Sequence, residues 1–160
     1  IDNAGRRDEG CIGDLTALEV LHAGLTGIVL WGAHRDSDEL VRIGLPVFSY
    51  GSFPAGPRRL DPRRGDALES ATIGDFDVSR ADVVAADDDS ALFIPKDRFD
   101  EVADIATTIH RKERRQAETI ASGTSLRSQL QFDVFLARRA TNPAYTLRDH
   151  LRTIGGAIEE

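Results

Sequence analysis

The chain has little sulfur, few aromatic residues and no long apolar run. Among its 160 residues there are one cysteine, one tryptophan and no methionine, and aromatic residues make up 6%. Because Cys11 is alone, an internal disulfide is excluded, and the composition is consistent with a reducing compartment. No run approaches the ~18 apolar residues of a membrane-spanning helix, and no signal peptide is recognisable. We therefore expect a cytoplasmic protein without membrane contact.

Cations are also in the minority, with 20 Lys and Arg against 27 Asp and Glu and a net charge of −7. An acidic surface argues against broad nucleic-acid binding, which needs clustered cations facing phosphates. The basic residues form two local groups, Arg58, Arg59, Arg63 and Arg64, and then Arg111, Lys112, Arg114 and Arg115. We interpret the second group as a solvated helix face, because it lies in a helical pattern with Glu113 and Glu118.

The length and the element pattern predict one α/β domain followed by helices. Helices are predicted over residues 15–23, 37–43 (with Asp36 as its cap), 97–122, 125–139 and 147–154. Strands are predicted over residues 27–31, 46–50, 67–73, 82–86 and 91–94, with an exposed loop over residues 51–65. The chain opens without Met on Ile1-Asp2-Asn3, which is typical of the middle of a strand. We therefore expect that the first part of a longer gene product is missing.

The candidate site lies between Gly13 and Glu39. Gly13-Asp14-Leu15-Thr16 predicts a tight turn into a helix whose first N–H groups favour an anion, although an ordinary helix cap is the alternative. Arg35 and Asp36 follow a predicted strand, so their side chains can reach one crevice. There a guanidinium can bind a carboxylate and Asp36 can offer oxygen to Mg²⁺, the alternative being a surface ion pair with an N-cap. Glu39, one helical turn beyond Asp36, either orients water or stabilises the helix.

Other chemistries find less support. The histidines show no metal-ligand spacing with one another or with Cys11, although His34 is a candidate substrate contact. Asp87-Asp88-Asp89 lacks the Gly and the terminal Glu of a calcium-binding EF-hand loop, and we interpret it as a polar hairpin turn. The sequence contains no nucleophile elbow, no Gly-x-Gly-x-x-Gly and no P-loop, so nucleotide and S-adenosylmethionine sites are not expected.

Three stretches resemble one family. They are G-D-L-x-A…G-L-T-G-I-V-L-W-G-A-x-R-D-x-x-E from Gly13 to Glu39, G-L-P-V-F from Gly44, and the A-D-V-V-A-A-D…I-P hairpin from Ala81 to Pro95. Together they are similar to the superfamily of class II 4-hydroxy-4-methyl-2-oxoglutarate aldolases and regulators of ribonuclease activity A (RraA). The resemblance implies an α/β fold, with an RraA-like swivelling β/β/α domain over residues 1–125 and a helical C-terminal extension over residues 126–160. It also implies trimers or hexamers.

The resemblance further implies a site for a small 2-oxo acid and a divalent metal, Mg²⁺ or Mn²⁺. Gly13, Asp14, Leu15 and Thr16 would bind the substrate, Arg35 would bind its pyruvyl group and Asp36 would hold the metal. Asp14 and Arg35 are separated by the same number of residues as the Asp and the Arg of the family's aldolase motif. This match favours an enzyme in which both are catalytic residues. Without a lysine in the motif region, a Schiff-base aldolase is not expected.

The implied activity is cleavage of a 4-hydroxy-2-oxo acid to pyruvate, with oxaloacetate decarboxylation as a side activity. A metal-ordered water held by Asp14 is the expected proton relay. Two alternatives stay open. One is a non-catalytic regulator that binds a ribonuclease or helicase partner. The other is a related lyase acting on another oxo acid, which Trp31 and His34 permit.

Overall fold

The computed structural model describes residues 1–59, 62, 65 and 67–156, and it contains both helices and strands. The mixed α/β class predicted from the sequence is confirmed. The chain divides into two compact units, Ile1–Phe99 and Asp100–Glu160. The sequence-based division between residues 125 and 126 stays a prediction. No helix within the described ranges is long and apolar enough to cross a membrane.

The described residues of the first unit form four pairs of strands. The strands are β1 (Asp2–Ile12), β2 (Ile28–Val29), β3 (Trp31–His34), β4 (Val47–Phe48), β5 (Ser70–Ile73), β6 (Phe76–Ser79), β7 (Asp82–Ala86) and β8 (Ala91–Pro95), and the helices are α1 (Asp14–His22) and α2 (Ser37–Ile43). β1 pairs with β3 and β2 with β4, both in parallel. β5–β6 and β7–β8 are antiparallel hairpins. A 3₁₀ turn, Lys96–Arg98, follows the last strand.

One apolar core joins the parallel strands to both helices. Its buried members are Ile12, Ala17, Ile28, Leu30, Leu40 and Leu45. They come from β1, α1, β2, α2 and the segments beside them, so burial of their side chains fixes the helices against the strands. Each fully buried Leu or Ile contributes about 1.5–3 kcal/mol to the free energy of unfolding.

The chain changes partners at Leu30, and this divides a segment that the sequence predicts as one strand. Leu30 N–H donates to the Phe48 carbonyl at 2.8 Å, whereas Trp31 N–H donates to the Ile1 carbonyl at 2.8 Å. The prediction of a single strand over residues 27–31 is therefore wrong. The exchange of neighbours is a tertiary effect, because no Gly or Pro marks it in the sequence.

β1 is irregular because it is longer than its partner β3. Its register with β3 shifts repeatedly, and Ala4 and Gly5 have positive φ angles of 51° and 66°. A Cβ on Gly5 would lie 3.1 Å from the Trp31 ring. The irregular strand thus leaves room for the indole, which also packs edge-on against the Tyr50 ring at 4.9 Å.

The second unit is helical. Its helices are α3 (Phe99–Ala121), α4 (Leu126–Gln129), α5 (Phe132–Thr141) and α6 (Leu147–Ile154). Phe135 and His150 are buried, and the His150 Nε2 lies 2.8 Å from the Leu130 carbonyl. The Phe135 ring contacts the rings of Phe132, Tyr145 and His150. The tail aromatics therefore build a small core within their own unit.

Two further predictions differ from the structure. The predicted helix over residues 125–139 is wrong, since the chain leaves the helical conformation at Gln131, which has a φ of 48°. Strand β6, which pairs with β5, was not among the strands predicted from the sequence. Part of the predicted loop over residues 51–65, including Arg63 and Arg64, lies outside the described residues.

Candidate functional site

The candidate site forms where two parallel strands end side by side. β1 leads through Gly13 into α1, and β3 leads through Arg35 and Asp36 into α2. Because β1 and β3 are parallel neighbours, both turns lie at the same edge of the sheet. Arg35 N–H donates to the Ile12 carbonyl at 2.9 Å and ties the two turns together.

Asp36 adopts a left-handed backbone conformation, with φ 60° and ψ 42°, just before α2. The prediction that its side chain caps α2 is wrong, because no capping hydrogen bond forms. Its Oδ2 instead accepts the Asp14 N–H at 3.4 Å and lies 3.3 Å from the Arg35 Nε. A left-handed non-glycine residue costs of order 1–3 kcal/mol and is typical of functional sites. Asp36 therefore faces the crevice and not its own helix.

Gly13 is needed for space, whereas the sequence suggested that it was needed for a tight turn. Its φ of −143° is extended and available to any residue. A Cβ at this position would lie 2.2 Å from the Asp36 Oδ2 and 2.9 Å from the Arg35 Nε. The absence of a side chain thus lets the carboxylate and the guanidinium approach the start of α1.

The Arg35 guanidinium is partly exposed, and its side chain is 41% accessible. Its Nε, by contrast, is buried and has no hydrogen-bond partner among the described residues. The Asp36 carboxylate is near enough for a Coulomb attraction with Nε but not placed for a hydrogen bond. The Nε–H of Arg35 is therefore a buried donor whose hydrogen bond is not made by the described residues.

Two N–H donors at the start of α1 have no partner among the described residues. Asp14 N–H donates to Asp36, and Leu15 N–H donates to the Oδ1 of Asp14 at 2.7 Å. The N–H groups of Gly13 and Thr16 make no hydrogen bond within the part of the chain that the structure describes. With the positive end of the helix dipole, these two donors favour a bound anion.

His34 and Glu39, the other candidates near the site, have partners of their own. The His34 Nδ1 lies 2.7 Å from the Ser49 Oγ and its Nε2 lies 2.9 Å from the Ser37 Oγ. Burial lowers the pKa of this imidazole, which favours its neutral form. Glu39 forms a surface ion pair with Arg42 at 2.9 Å. A substrate contact from His34 stays a prediction.

The donors at this corner fit a hard divalent cation. Asp36 is 37% accessible, and its Oδ1 makes no hydrogen bond or ion pair with the described residues. No group of three or more His, Cys, Asp or Glu side chains in the described ranges is close enough to enclose a metal. Mg²⁺ needs no such cage, since it is often bound by one or two carboxylates and keeps several waters. A divalent metal at this corner would take Asp36 as its protein ligand.

A cavity lies away from this corner. It has a volume of about 540 Å³, and its lining includes Trp31, Phe48, Tyr50, Phe93 and the segment 87–90. The predicted polar turn is confirmed there, because the Asp87 Oδ1 accepts the N–H groups of Asp89 and Ser90. Arg35 and Asp36 do not line this cavity, so their crevice is an open corner of the surface.

Comparison with known proteins gives consistent matches. A family model described as RraA-like, Aldolase/RraA, matches residues 1–92. Protein DlpA from Legionella pneumophila is 31% identical over 126 residues, which cover 79% of this chain and 20% of that protein. A protein from Alcanivorax borkumensis named "Putative 4-hydroxy-4-methyl-2-oxoglutarate aldolase" is 28% identical over 96 residues, covering 60% of this chain and 59% of that protein.

A solved structure gives a similar result. It is Streptomyces coelicolor RraAS2, described as an unusual member of the RNase ES inhibitor RraA protein family, with a TM-score of 0.62 at 26% identity. The alignment covers 74% of this chain and 60% of that chain. The chain thus spans between 20% and 59% of the two curated relatives described above.

Proposed function

The chain belongs to the RraA-like family, and from that premise we propose that it is a divalent-metal-dependent lyase. The family membership and the fold predicted from the resemblance are both confirmed. The family's description includes aldolases as well as RraA proteins. The proposed substrate is a 4-hydroxy-2-oxo acid of the 4-hydroxy-4-methyl-2-oxoglutarate type, and one product is pyruvate. The observation that carries the proposal is the convergence of Arg35 and Asp36 on the first turn of α1.

Binding of the substrate would begin with its carboxylate. The free N–H groups of Gly13 and Thr16 supply donors, and the Arg35 guanidinium supplies a positive charge that can bind a carboxylate through two hydrogen bonds. Asp36 would hold Mg²⁺ or Mn²⁺ through its outward oxygen. When bound, the cation supplies Lewis acidity toward the oxygens of the 2-oxo acid.

The bond to be broken joins C3 and C4 of the substrate. Its electron pair moves toward C2 and develops an enolate, while C4 becomes the carbonyl carbon of the second product. Arg35 would stabilise this negative charge as it forms, where a preorganised cation has its largest effect on rate. The proton of the 4-hydroxyl group would pass to Asp14, directly or through one water. Addition of a proton at C3 completes pyruvate.

The test is release of pyruvate from 4-hydroxy-4-methyl-2-oxoglutarate and from oxaloacetate, whose decarboxylation develops the same enolate. We expect production with Mg²⁺ and its loss in excess chelator. Arg35→Lys should reduce the rate by about 100-fold or more, because Lys lacks the bidentate fork. The matched control is Arg42→Lys, which alters a surface arginine 72% accessible. Equal rates in Arg35→Lys and wild type would contradict the mechanism.

A regulator is the second candidate, favoured by the similarity to RraAS2, whose family is described as RNase ES inhibitors. An acidic protein of net charge −7 is suited to binding Arg-rich segments of a ribonuclease or helicase. Partner binding that is indifferent to chelator, without pyruvate from either substrate, would support this function. Pyruvate release from only another oxo acid would instead indicate a related lyase.

We also propose that the chain assembles as a homotrimer or a hexamer of two trimers. Neither a nucleic acid nor a membrane is needed for the proposed chemistry. The support is a set of exposed apolar side chains on α1 and α2, which include Leu15, Leu18, Leu21 and Val41. Exposed apolar side chains that share one helix face, as Leu15, Leu18 and Leu21 do on α1, are typical of subunit contacts.

A further inference from the structure

The segment Gly51–Arg59, here called the strap, crosses the ends of β3 and β1. At its start, His34 N–H donates to the Gly51 carbonyl at 3.0 Å and Phe53 N–H donates to the His34 carbonyl at 2.7 Å. Farther along, Gly10 N–H donates to the Ala55 carbonyl at 2.7 Å. The strap is therefore bonded first to one strand and then to the other.

The far end of the strap is held by Glu9, a buried carboxylate that the proposed reaction does not use. Glu9 is 2% accessible. Its Oε2 accepts the Arg58 N–H at 2.9 Å, and its Oε1 accepts hydrogen bonds from the Arg59 guanidinium at 3.1 Å and the Asn3 amide at 3.3 Å. A buried charge persists only when it is well partnered, and two of these three donors belong to the strap.

Between Ala55, which bonds to Gly10, and Arg58, which bonds to Glu9, the strap lies against Arg35. A Cβ on Gly56 would be 2.6 Å from one terminal nitrogen of the Arg35 guanidinium, and a Cβ on Gly10 would be 2.8 Å from the Arg35 Cβ. On another side, Gly13 and Asp36 lie against the Nε. The guanidinium is thus confined between the strap and the first turn of α1.

We propose that Glu9 is a positioning residue for Arg35. By holding Arg58 and Arg59, it keeps Gly56 against the guanidinium and so keeps the Nε edge beside Asp36. Glu9 acts only through the strap. The consequence for substrate binding rests on the proposed function, whereas the effect on Arg35 itself does not.

The first measurement follows the Arg35 Nε–H in ¹⁵N-labelled protein, with its signal assigned by Arg35→Lys. Because this nitrogen is buried, its proton should exchange slowly with solvent. Glu9→Gln and Arg59→Gln should each speed that exchange by about tenfold or more through local opening of the strap. Arg42→Gln, which removes an exposed ion pair of similar type, should leave it unchanged. Unchanged exchange in folded Glu9→Gln and Arg59→Gln would overturn the proposal.

The second measurement is pyruvate affinity in the presence of Mg²⁺. Glu9→Gln should weaken the affinity for pyruvate by about fivefold or more in the wild-type background. In Arg35→Ala the same change should cause no further loss of affinity, since the effects of coupled residues are non-additive. Equal losses in both backgrounds would mean that Glu9 acts independently of Arg35. If the wild-type protein binds no pyruvate, the proposed function fails, and the Nε–H exchange still decides the positioning role. If Glu9→Gln does not fold, Arg59→Gln decides it.

Discussion

Asp36 combines a left-handed backbone conformation with a carboxylate that does not cap its helix. Asn tolerates this conformation and has nearly the same shape, so Asp36→Asn should fold like wild type while losing the charge. We expect Mg²⁺-dependent pyruvate release to fall by about 100-fold or more, and thermal unfolding to change little. Asp38→Asn, a neighbouring exposed change in the first turn of α2, is the matched control. Undiminished stimulation by Mg²⁺ in Asp36→Asn would exclude Asp36 as the metal ligand.

Gly13 occupies a position that no larger residue can share with Asp36 and Arg35. In Gly13→Ala the new methyl group would overlap the Asp36 Oδ2, so the carboxylate must move. Overpacking of this kind typically lowers the free energy of unfolding by about 1–3 kcal/mol. We expect the Mg²⁺ requirement to shift to higher concentration, measured from pyruvate release across a Mg²⁺ titration. Gly65→Ala is the control, because a Cβ there would lie within 4 Å of none of the residues that the structure describes.

Helix α6 depends on a capping box at its first turn. The Thr146 hydroxyl accepts the Asp149 N–H, and the Asp149 carboxylate accepts the Thr146 N–H at 3.0 Å. The Thr146 hydroxyl also donates to that carboxylate at 2.6 Å, and this hydrogen bond is the largest cause that lowers the pKa of Asp149. We expect Thr146→Ala to lower the free energy of unfolding by about 1 kcal/mol at neutral pH.

The same change should also alter the response to acid. Because the folded-state pKa of Asp149 is lowered, its contribution is complete above the ordinary pKa of an aspartate and is lost as the pH falls through the lowered pKa. Thr146→Ala should therefore show a weaker loss of stability with acid, measured by denaturant unfolding at several pH values. Thr153→Ala, farther along α6, is the control, and an equal acid response in all three proteins would contradict the role of the box.

Elements with local signals were predictable from the sequence. Helix α2 and strand β7 have the predicted bounds, because Gly44 ends the helix in a left-handed conformation and turn residues flank the strand. The division at Leu30 was not predictable, because it follows from a change of hydrogen-bond partners between distant strands. The break at Gln131 has no Gly or Pro beside it to signal it.

The candidate site shows the same division between local and distant causes. The Asp14 backbone meets Asp36 because β1 and β3 end side by side, and β1 was not among the strands predicted from the sequence. The strap escaped prediction, because the contact of Glu9 with Arg58 joins residues 49 positions apart. A buried carboxylate in a strand also carries no local signal that distinguishes it from an exposed one.

Several apolar side chains lie on the surface of the first unit, where a monomer would expose them to water. Leu18 and Leu21 on α1 are 46% and 45% exposed, and Val41 on α2 is 82% exposed. Leu18 and Leu21 are three residues apart, so they share one exposed face of α1. Burial of such a face between copies contributes roughly 25 cal/mol per Å² of apolar surface removed from water.

Leu18→Glu places a charge in that face and should dissociate the proposed trimer or hexamer. We expect sedimentation of the wild-type chain at three or six times 17.5 kDa and of Leu18→Glu at 17.5 kDa. The control is Leu92→Glu, another exposed leucine, on hairpin strand β8. A wild-type monomer would overturn the assembly, and an intact Leu18→Glu trimer would move the interface elsewhere.

Dissociation also tests whether one chain contains the complete site. Arg35, Asp36 and the free N–H groups of α1 all come from one chain, so a folded monomer should keep its affinity for pyruvate with Mg²⁺. Turnover is a separate matter, because closing the open corner against water strengthens every charge interaction within it. A Leu18→Glu monomer that binds pyruvate normally but turns over slowly would mean that a neighbouring copy covers the crevice. Normal binding with normal turnover would mean that the strap and α1 of one chain suffice to form a working site.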